Sequence, residues 1–172
     1  MVRFYPSLTE RPSSLSFDEL RDDFLRIVSD VVWCTVATVD TRGRPRTRVM
    51  HPYWEIVGAA PVGWIGTSKS ALKTRHLAAN PYVSCSYWSP KQETAHVDCR
   101  ASWADDARER VWQLFVDAEP PLGYDPAKIP QWKDGPLAGQ WAVLRLEPWR
   151  LMLLTAEDAA AGNWYQRVWR PH

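Results

Sequence analysis

The sequence lacks the features that mark secreted, membrane or zinc-binding proteins. Its three cysteines are an odd number without CxxC spacing, which argues against a disulfide framework and against a zinc knuckle. No apolar run approaches the ~18 residues of a membrane span, and the N-terminus has no apolar signal-peptide core. We therefore expect a cytoplasmic protein without membrane contact, with buried free thiols at Cys34, Cys85 and Cys99.

An excess of charge of one sign is also missing. The chain has 21 basic and 20 acidic residues, so its formal net charge is +1. This balance does not indicate binding to nucleic acid or to an anionic membrane. Its four histidines lack HxxxH or HxH spacing, and no Gly-x-Ser-x-Gly elbow is present, so we expect neither a metal site nor a serine hydrolase. Any anion site must be local.

The 172 residues are enough for one domain with a substantial core. We predict a single domain over 1–172, with an N-terminal arm over 1–15 and a proline-rich loop over 119–136. That loop holds five prolines, and loops of its length often form lids or interface arms. The eleven tryptophans indicate a stacking surface, an aromatic core or a dimer interface.

The hydrophobic periodicity predicts six or so strands and three helices. Ser16 and Glu19 have the spacing of a capping box at the start of the first helix, and Gly43 supplies the turn of the first hairpin. The last long strand is expected to break at Pro148. Antiparallel strands interrupted by single helices indicate a mainly β fold, a six-stranded antiparallel Greek-key-type barrel with flanking helices.

The stretch GTSKSALKTRHLAANP, residues 66–81, enters a helix through Thr-Ser-Lys-Ser. Unpaired backbone N–H groups and the helix dipole make such a start a natural anion site, with Lys69 and Lys73 four residues apart. A capped helix with a solvated basic face explains the same residues. The anion site is favoured by Arg46 and Arg48, which share one face of the second strand and reach the helix start if that strand pairs with the strand before the helix.

Three stretches together resemble the pyridoxamine 5′-phosphate oxidase-related family of flavin-binding split β-barrels: TVATVDTRGRPRTRVM, GWIGTSKSALKTRHLAANPYVSCSY and HVDCRASW. The likeness covers about residues 16–116, and its most specific part is Thr-Ser-x-Ser-x-x-Lys followed seven residues later by Asn-Pro. The resemblance implies a homodimer with FMN at the subunit interface. It also implies that the phosphate is bound by Arg48, Thr67, Ser68 and Lys73, with Arg46 and Lys69 as accessories, and that the isoalloxazine ring lies along Val49, Met50 and His51.

Two departures from the family narrow the implied activity. The residues after the later helix lack its tyrosine, arginine and serine motif for substrate phosphate, and Thr94 or a neighbour stands where the family has a glutamine that reaches the flavin. We therefore do not expect pyridoxamine 5′-phosphate as the substrate. The resemblance implies a flavin-dependent oxidoreductase or reductase for an unidentified flat or hydrophobic small molecule, with chemistry on the flavin ring and His51 as a candidate proton donor.

Three alternatives remain at this point. Related proteins use the deazaflavin coenzyme F420, whose longer anionic tail suits a groove lined by Arg46, Lys69, Lys73 and Arg75. A non-catalytic protein that stores or senses flavin, or that binds haem through His51 or His76, fits the same fold. An interaction domain with a merely solvated basic face is the third.

Overall fold

A computed structural model describes residues 14–138 and 140–171, in which the chain forms one eight-stranded sheet with four α-helices. The predicted arm over 1–15 lies almost wholly outside these ranges, as does His172. The helices are α1 (Arg21–Val31), α2 (Ala71–Ala79), α3 (Arg108–Asp117) and α4 (Ala156–Ala160). The strands are β1 (Cys34–Val39), β2 (Pro45–Met50), β3 (Pro52–Val57), β4 (Ala60–Ser68), β5 (Tyr82–Trp88), β6 (Thr94–Trp103), β7 (Trp141–Leu154) and β8 (Arg167–Trp169).

The strand order closes the sheet into a barrel. The order is β2-β1-β5-β6-β7-β4-β3, with β8 added beside β7, and all named strand pairs are antiparallel. β2 and β3 stand at opposite ends of this order, yet His51 alone joins them along the chain. The sheet must therefore curl until its two ends meet, which gives a split β-barrel. The predicted mainly β split barrel is confirmed.

The strand count exceeds the six that the sequence predicts, for two reasons. The predicted second strand divides at His51 into β2 and β3, which pair with different partners, β1 and β4. The C-terminal tail adds β8, a three-residue strand too short to leave a period-two signal in the sequence.

The long strand β7 is not broken at Pro148, contrary to the prediction. It runs unbroken from Trp141 to Leu154, and a register shift opposite Asp98 and Cys99 takes up one extra residue. Pro148 pairs with Cys99 and Arg150 pairs with Asp98, which leaves Trp149 unpaired in a β-bulge. A bulge already lacks one ladder hydrogen bond, so a strand tolerates proline there.

The first helix begins later than the capping-box spacing predicts. α1 begins at Arg21, and the Glu19 carboxylate accepts hydrogen bonds from the Ser16 backbone N–H at 2.8 Å and from the Ser16 hydroxyl at 2.7 Å. Glu19 therefore stabilises a turn that precedes the helix. Phe17 and Leu20 in this turn are buried, so the turn anchors α1 to the barrel.

Two hydrophobic clusters hold the molecule together. The first fills the barrel, and the three cysteines in it are free and buried, as predicted. The second lies outside the barrel, where α3 and the proline-rich segment 119–136 cover β4 and β7; its large aromatic members are Trp64, Phe115, Trp132 and Trp141. This second cluster fixes segment 119–136 against the sheet.

Two further observations concern the described residues as a whole. Each of their helices is too short or too polar to cross a membrane. No three histidine, cysteine, aspartate or glutamate side chains among them are grouped as metal ligands.

Candidate functional site

Arg48 and Lys73 form a pair of cations at the split of the barrel. Arg48 lies on β2, where its Nη2 donates a hydrogen bond to Thr38 Oγ1 on β1 at 3.0 Å. Lys73 lies in the first turn of α2, where its Nζ donates to Thr67 Oγ1 and, at 3.3 Å, to the carbonyl oxygen of Ser68. The end of β4 and the start of α2 therefore present one lysine and two hydroxyl-bearing residues beside the arginine of β2.

The electrostatics of this cation pair are those of an anion site. Burial, together with the nearby Arg48 charge, lowers the pKa of Lys73 to about 8. Burial, and then the charge of Arg46, also lowers the pKa of Arg48. Within the described part of the chain, neither cation forms a salt bridge with a carboxylate. Two neighbouring cations that lack a counter-charge are stabilised by a bound anion, and arginine and lysine are the side chains that bind phosphate.

The route by which Arg48 reaches the helix start differs from the prediction. In the predicted arrangement, the arginine-bearing strand pairs with the strand before α2. That strand, β4, pairs with β3 and β7, and the arginines lie on β2, which pairs with β1. Arg48 approaches Lys73 because curling of the sheet brings β2 to the end of β4, across the split rather than along a ladder.

Lys69 has a carboxylate partner of its own. Its Nζ donates to both oxygens of Asp105, at 2.7 and 2.8 Å, and lies over the ring of Trp103 at 5.3 Å from the centroid. It lines a polar pocket of about 310 Å³ together with Ser68, Asp105 and Arg108. An accessory role for Lys69 in phosphate binding therefore stays a prediction.

Arg46 and Arg75 lie on a second basic surface that adjoins the cation pair. They line a pocket of about 340 Å³, here called the arginine pocket, with Arg42, Arg44, Asp40, Thr41, Leu72 and His76. Asp40 forms a salt bridge with Arg44 at 2.9 Å. In the part of the chain that the structure describes, the other three arginines have no such partner.

The two basic surfaces share a contact. His76 lines the arginine pocket, and its Nδ1 lies 3.4 Å from Thr38 Oγ1, the atom that accepts the hydrogen bond from Arg48. Sequence reasoning did not single out Thr38. The signal available was its place on the buried face of β1, where it is 3% exposed and opposite Arg46.

Thr94 does not join either surface within one chain. It begins β6, opposite Trp88 of β5 and Leu154 of β7, and β5 and β1 separate β6 from β2. Its buried hydroxyl has no hydrogen-bond partner among the described residues. A flavin contact from Thr94 stays a prediction.

An apolar pocket of about 400 Å³, here called the aromatic pocket, is lined by Val49 and Gly66, the chain neighbours of Arg48 and Thr67. It contains the three residues along which the resemblance implies the flavin ring, Val49, Met50 and His51. Its other lining residues are Trp33, Gly66, Pro121, Tyr124, Ile129 and Trp132. Sequence reasoning identified the proline-rich segment as a possible lid but did not single out its aromatic residues, although tyrosine and tryptophan in such a loop are the signal of a packed wall.

His51 is a polar residue among those that line the aromatic pocket. It is 8% exposed, with ring centroids 5.1 Å from Trp33, 5.5 Å from Phe115 and 5.4 Å from Tyr124. Its Nε2 is buried without a hydrogen-bond partner among the described residues, and burial lowers its pKa to about 4. At neutral pH His51 is therefore an uncharged hydrogen-bonding group, not an imidazolium acid.

The fold defines a class of architecture, the split β-barrel, and solved structures agree with this fold. No family model matches the sequence, and no curated protein does. A protein from Clostridium acetobutylicum related to general stress protein 26, of the pyridoxinephosphate oxidase family, superposes with a TM-score of 0.63 at 13% identity, covering 80% of this chain and 89% of that chain.

Two further structures have the same architecture. A pyridoxamine 5′-phosphate oxidase-related, FMN-binding protein from Nostoc punctiforme gives a TM-score of 0.59 at 13% identity, covering 80% of this chain and 84% of that chain. An F420 reductase gives 0.51 at 18% identity, covering 73% of this chain and 93% of that chain. The resemblance seen in the sequence is thereby confirmed for the fold. Function must be argued from the site.

Proposed function

We propose that this protein binds FMN and is a flavin-dependent oxidoreductase for an uncharged, flat or hydrophobic small molecule. The flavin phosphate binds to Arg48, Thr67, Ser68 and Lys73, and the isoalloxazine ring extends along Val49, Met50 and His51 into the aromatic pocket. Bound FMN supplies hydride or electron transfer, which no side chain of this site supplies. The chain's own residues bind the phosphate, orient the ring and exclude water.

The observation that carries this proposal is the cation pair without a counter-charge. Lys73 and Arg48 are partly buried at the end of β4, next to the N-terminal turn of α2, where Ser70 caps the helix by accepting from the Lys73 backbone N–H at 3.3 Å. A phosphate there accepts charge-assisted hydrogen bonds from both cations. It also interacts favourably with the positive end of the α2 dipole.

Titration of the purified protein with FMN, followed by absorbance and fluorescence, tests this proposal. We expect the double variant Arg48→Ala with Lys73→Ala to lose FMN binding by at least about a hundredfold, since two charge-assisted bonds are removed. The matched control, Lys91→Ala with Arg170→Ala, removes two exposed cations elsewhere and should bind like the parent. Unchanged FMN affinity in the first variant, with its fold intact by circular dichroism, would refute the proposal.

The arginine pocket favours coenzyme F420 as a second candidate cofactor. FMN ends at one phosphate and leaves Arg42 and Arg75 without a ligand, whereas the longer anionic tail of the deazaflavin reaches beyond that phosphate. A parallel titration decides between them. If F420 is the cofactor, it binds more tightly than FMN, and Arg46→Ala with Arg75→Ala weakens F420 binding more than FMN binding.

We also propose that two copies form a homodimer around the site. The outer face of β1, β2 and β5 exposes Val49 at 66%, Tyr82 at 55% and Trp88 at 61%. The register places Val49 opposite Thr35 and Thr35 opposite Ser86, so these side chains share one face. Apolar patches of this kind are typical of interfaces. Val49 also lines the aromatic pocket, so a partner on this face would border the flavin.

A turnover measurement distinguishes a catalyst from a protein that only stores or senses the cofactor. A catalyst reoxidises a reduced flavin or deazaflavin faster when a suitable acceptor is added, whereas a storage or sensing protein binds the cofactor and leaves its reoxidation rate unchanged. Stopped-flow absorbance of the reduced, bound cofactor measures this directly.

A further inference from the structure

Thr38 is a polar residue on the buried face of β1. Burial alternates along this strand, and Thr38, which is 3% exposed, shares the buried face with Cys34 and Val36. A valine would fill the same space without a hydroxyl to pair, and burial of an unpaired hydroxyl is unfavourable. The residue type at this position therefore indicates a use for the hydroxyl.

The Thr38 hydroxyl connects three elements of the fold. Its Oγ1 accepts a hydrogen bond from Nη2 of Arg48 at 3.0 Å, and it lies 3.4 Å from Nδ1 of His76 and 3.5 Å from the carbonyl oxygen of Arg46. A threonine hydroxyl has one proton and two lone pairs, so it can accept from Arg48 while its proton is directed to His76 or Arg46. His76 is 2% exposed, so both ends of its contact with Thr38 are buried. Strands β1 and β2 and helix α2 therefore meet at this one oxygen.

The orientation of the Arg48 side chain depends on this contact. Among the described residues, Thr38 has the one side chain that accepts a hydrogen bond from Arg48. An arginine side chain loses rotamer freedom when it binds a ligand, and its planar guanidinium contacts a phosphate through two N–H groups only in a suitable orientation. Thr38 uses one N–H group of the guanidinium and leaves the others for an anion.

We propose that Thr38 is the positioning residue of the phosphate site, because its hydroxyl holds the Arg48 guanidinium in the orientation that binds an anion. Arg48 is then ordered before the ligand arrives. Helix α2 supports this arrangement, since His76 lies three residues after Lys73 on the same face of the helix. The helix thus places Lys73 directly and Arg48 through His76 and Thr38. The inference rests on the proposed function in one respect, because it takes the anion to be the FMN phosphate.

Replacement of the Thr38 hydroxyl tests the inference on the intact chain. Thr38→Val keeps the shape of the side chain and removes the hydroxyl, so we expect about five- to tenfold weaker FMN binding by fluorescence titration. Thr38→Ala should show the same loss, and it provides the test if the valine variant does not fold by circular dichroism. Thr38→Ser keeps the hydroxyl and should bind FMN within about twofold of the parent. Thr74→Val, at an exposed position of α2, is the matched control. Parent-like FMN affinity in the variants that lack the hydroxyl would overturn the inference.

A double-mutant cycle distinguishes positioning of Arg48 from a general effect on the fold. If Thr38 acts through Arg48, Thr38→Val should weaken FMN binding by less than about twofold once Arg48 has been replaced with alanine. A residue that only supports the fold would weaken FMN binding by the same factor in both backgrounds. Equal losses in the parent and in the Arg48→Ala background would therefore overturn the inference.

Calorimetric titration with inorganic phosphate, in the absence of flavin, separates this inference from the proposed function. A parent that binds phosphate but not FMN, with weaker phosphate binding in Thr38→Val, would refute the proposed function and support the positioning role. A parent that binds FMN through Arg48, with no effect of Thr38→Val, would support the proposed function and overturn the inference. A parent that binds neither FMN nor phosphate would overturn both.

Discussion

The indole N–H of Trp132 donates a hydrogen bond to Ser68 Oγ at 3.0 Å. This bond joins the proline-rich segment to the end of β4, beside Lys73 and Thr67. A serine hydroxyl accepts one hydrogen bond while donating another, so Ser68 can hold Trp132 and donate to a phosphate at the same time. The wall of the aromatic pocket and the proposed phosphate site therefore share one side chain.

Replacing Trp132 with phenylalanine is expected to weaken FMN binding three- to tenfold, because the Ser68 hydroxyl loses the donor that orients it. Fluorescence titration measures the change. The control is Trp112→Phe, since Trp112 lies on α3 and packs edge-on against Trp141 at 5.1 Å. Equal FMN affinity in the Trp132→Phe variant and the parent would show that Ser68 does not link the two parts of the site.

The Lys73 charge is expected to make FMN binding depend on pH. Its pKa is lowered to about 8, so the free protein loses this cation as the pH rises through that value. We expect the FMN dissociation constant to rise several-fold between pH 7 and pH 9.5. Lys73→Arg keeps its charge over the whole range and should show a much flatter profile. A parent profile as flat as that of the variant would remove Lys73 from the phosphate site.

The same lysine is expected to destabilise the ligand-free protein. Since its pKa is lower in the folded state than the usual value of 10.5, the unfolded chain binds more protons between about pH 8 and 10.5, and stability rises with pH in that window. Lys73→Met should stabilise the cofactor-free protein at pH 7 by about 1 kcal/mol, a figure that allows for solvent screening of a half-buried lysine. Urea denaturation measures this; a variant less stable than the parent would contradict it.

The exposed face of β5 is expected to carry the dimer. Trp88→Asp places a charge on that face, and we expect at least about a thirtyfold weaker dimer, because aromatic residues often carry much of an interface's binding energy. Sedimentation velocity over a range of concentrations measures it. Val57→Asp is the matched control, since Val57 is 54% exposed on β3. A monomeric parent, or a dimer unaffected by Trp88→Asp, would refute the proposed interface.

We expect any side chain at Gly66 to destabilise the folded protein. A Cβ built at Gly66 would lie 2.1 Å from the ring of Trp141, which is 2% exposed in the second hydrophobic cluster. We expect Gly66→Ala to cost about 1–3 kcal/mol of unfolding free energy, as overpacked cores do. Gly58→Ala is the control for backbone conformation without steric overlap, because Gly58 has a positive φ of 64° but open space around it. A Gly66→Ala protein as stable as the parent would show that Trp141 moves freely.

Local features of the fold could be predicted from the sequence because they depend on neighbours along the chain. Gly43 marks the β1–β2 turn with a φ of 78°, and Ser70 and Asn80 bound α2 as its caps. Alternation along β5 is another local feature, since Val83, Cys85 and Tyr87 are its buried residues. The features that failed are those with long-range causes. Pro148 lies inside β7 because a bulge opposite Asp98 and Cys99 absorbs it, and nothing near Pro148 in the sequence encodes that bulge.

By itself, the sequence determined the residue types of the candidate site: the arginines of β2, the Thr-Ser-Lys-Ser entry to α2 and Lys73. Only the tertiary structure decided which of them meet. Curling of the sheet across His51 brings Arg48 to Lys73, whereas Lys69 pairs with Asp105. The tertiary structure also places segment 119–136 over His51, at the aromatic pocket. Periodicity reports which face a side chain takes within its own element, but contacts between distant elements depend on strand order and closure, which no local pattern carries.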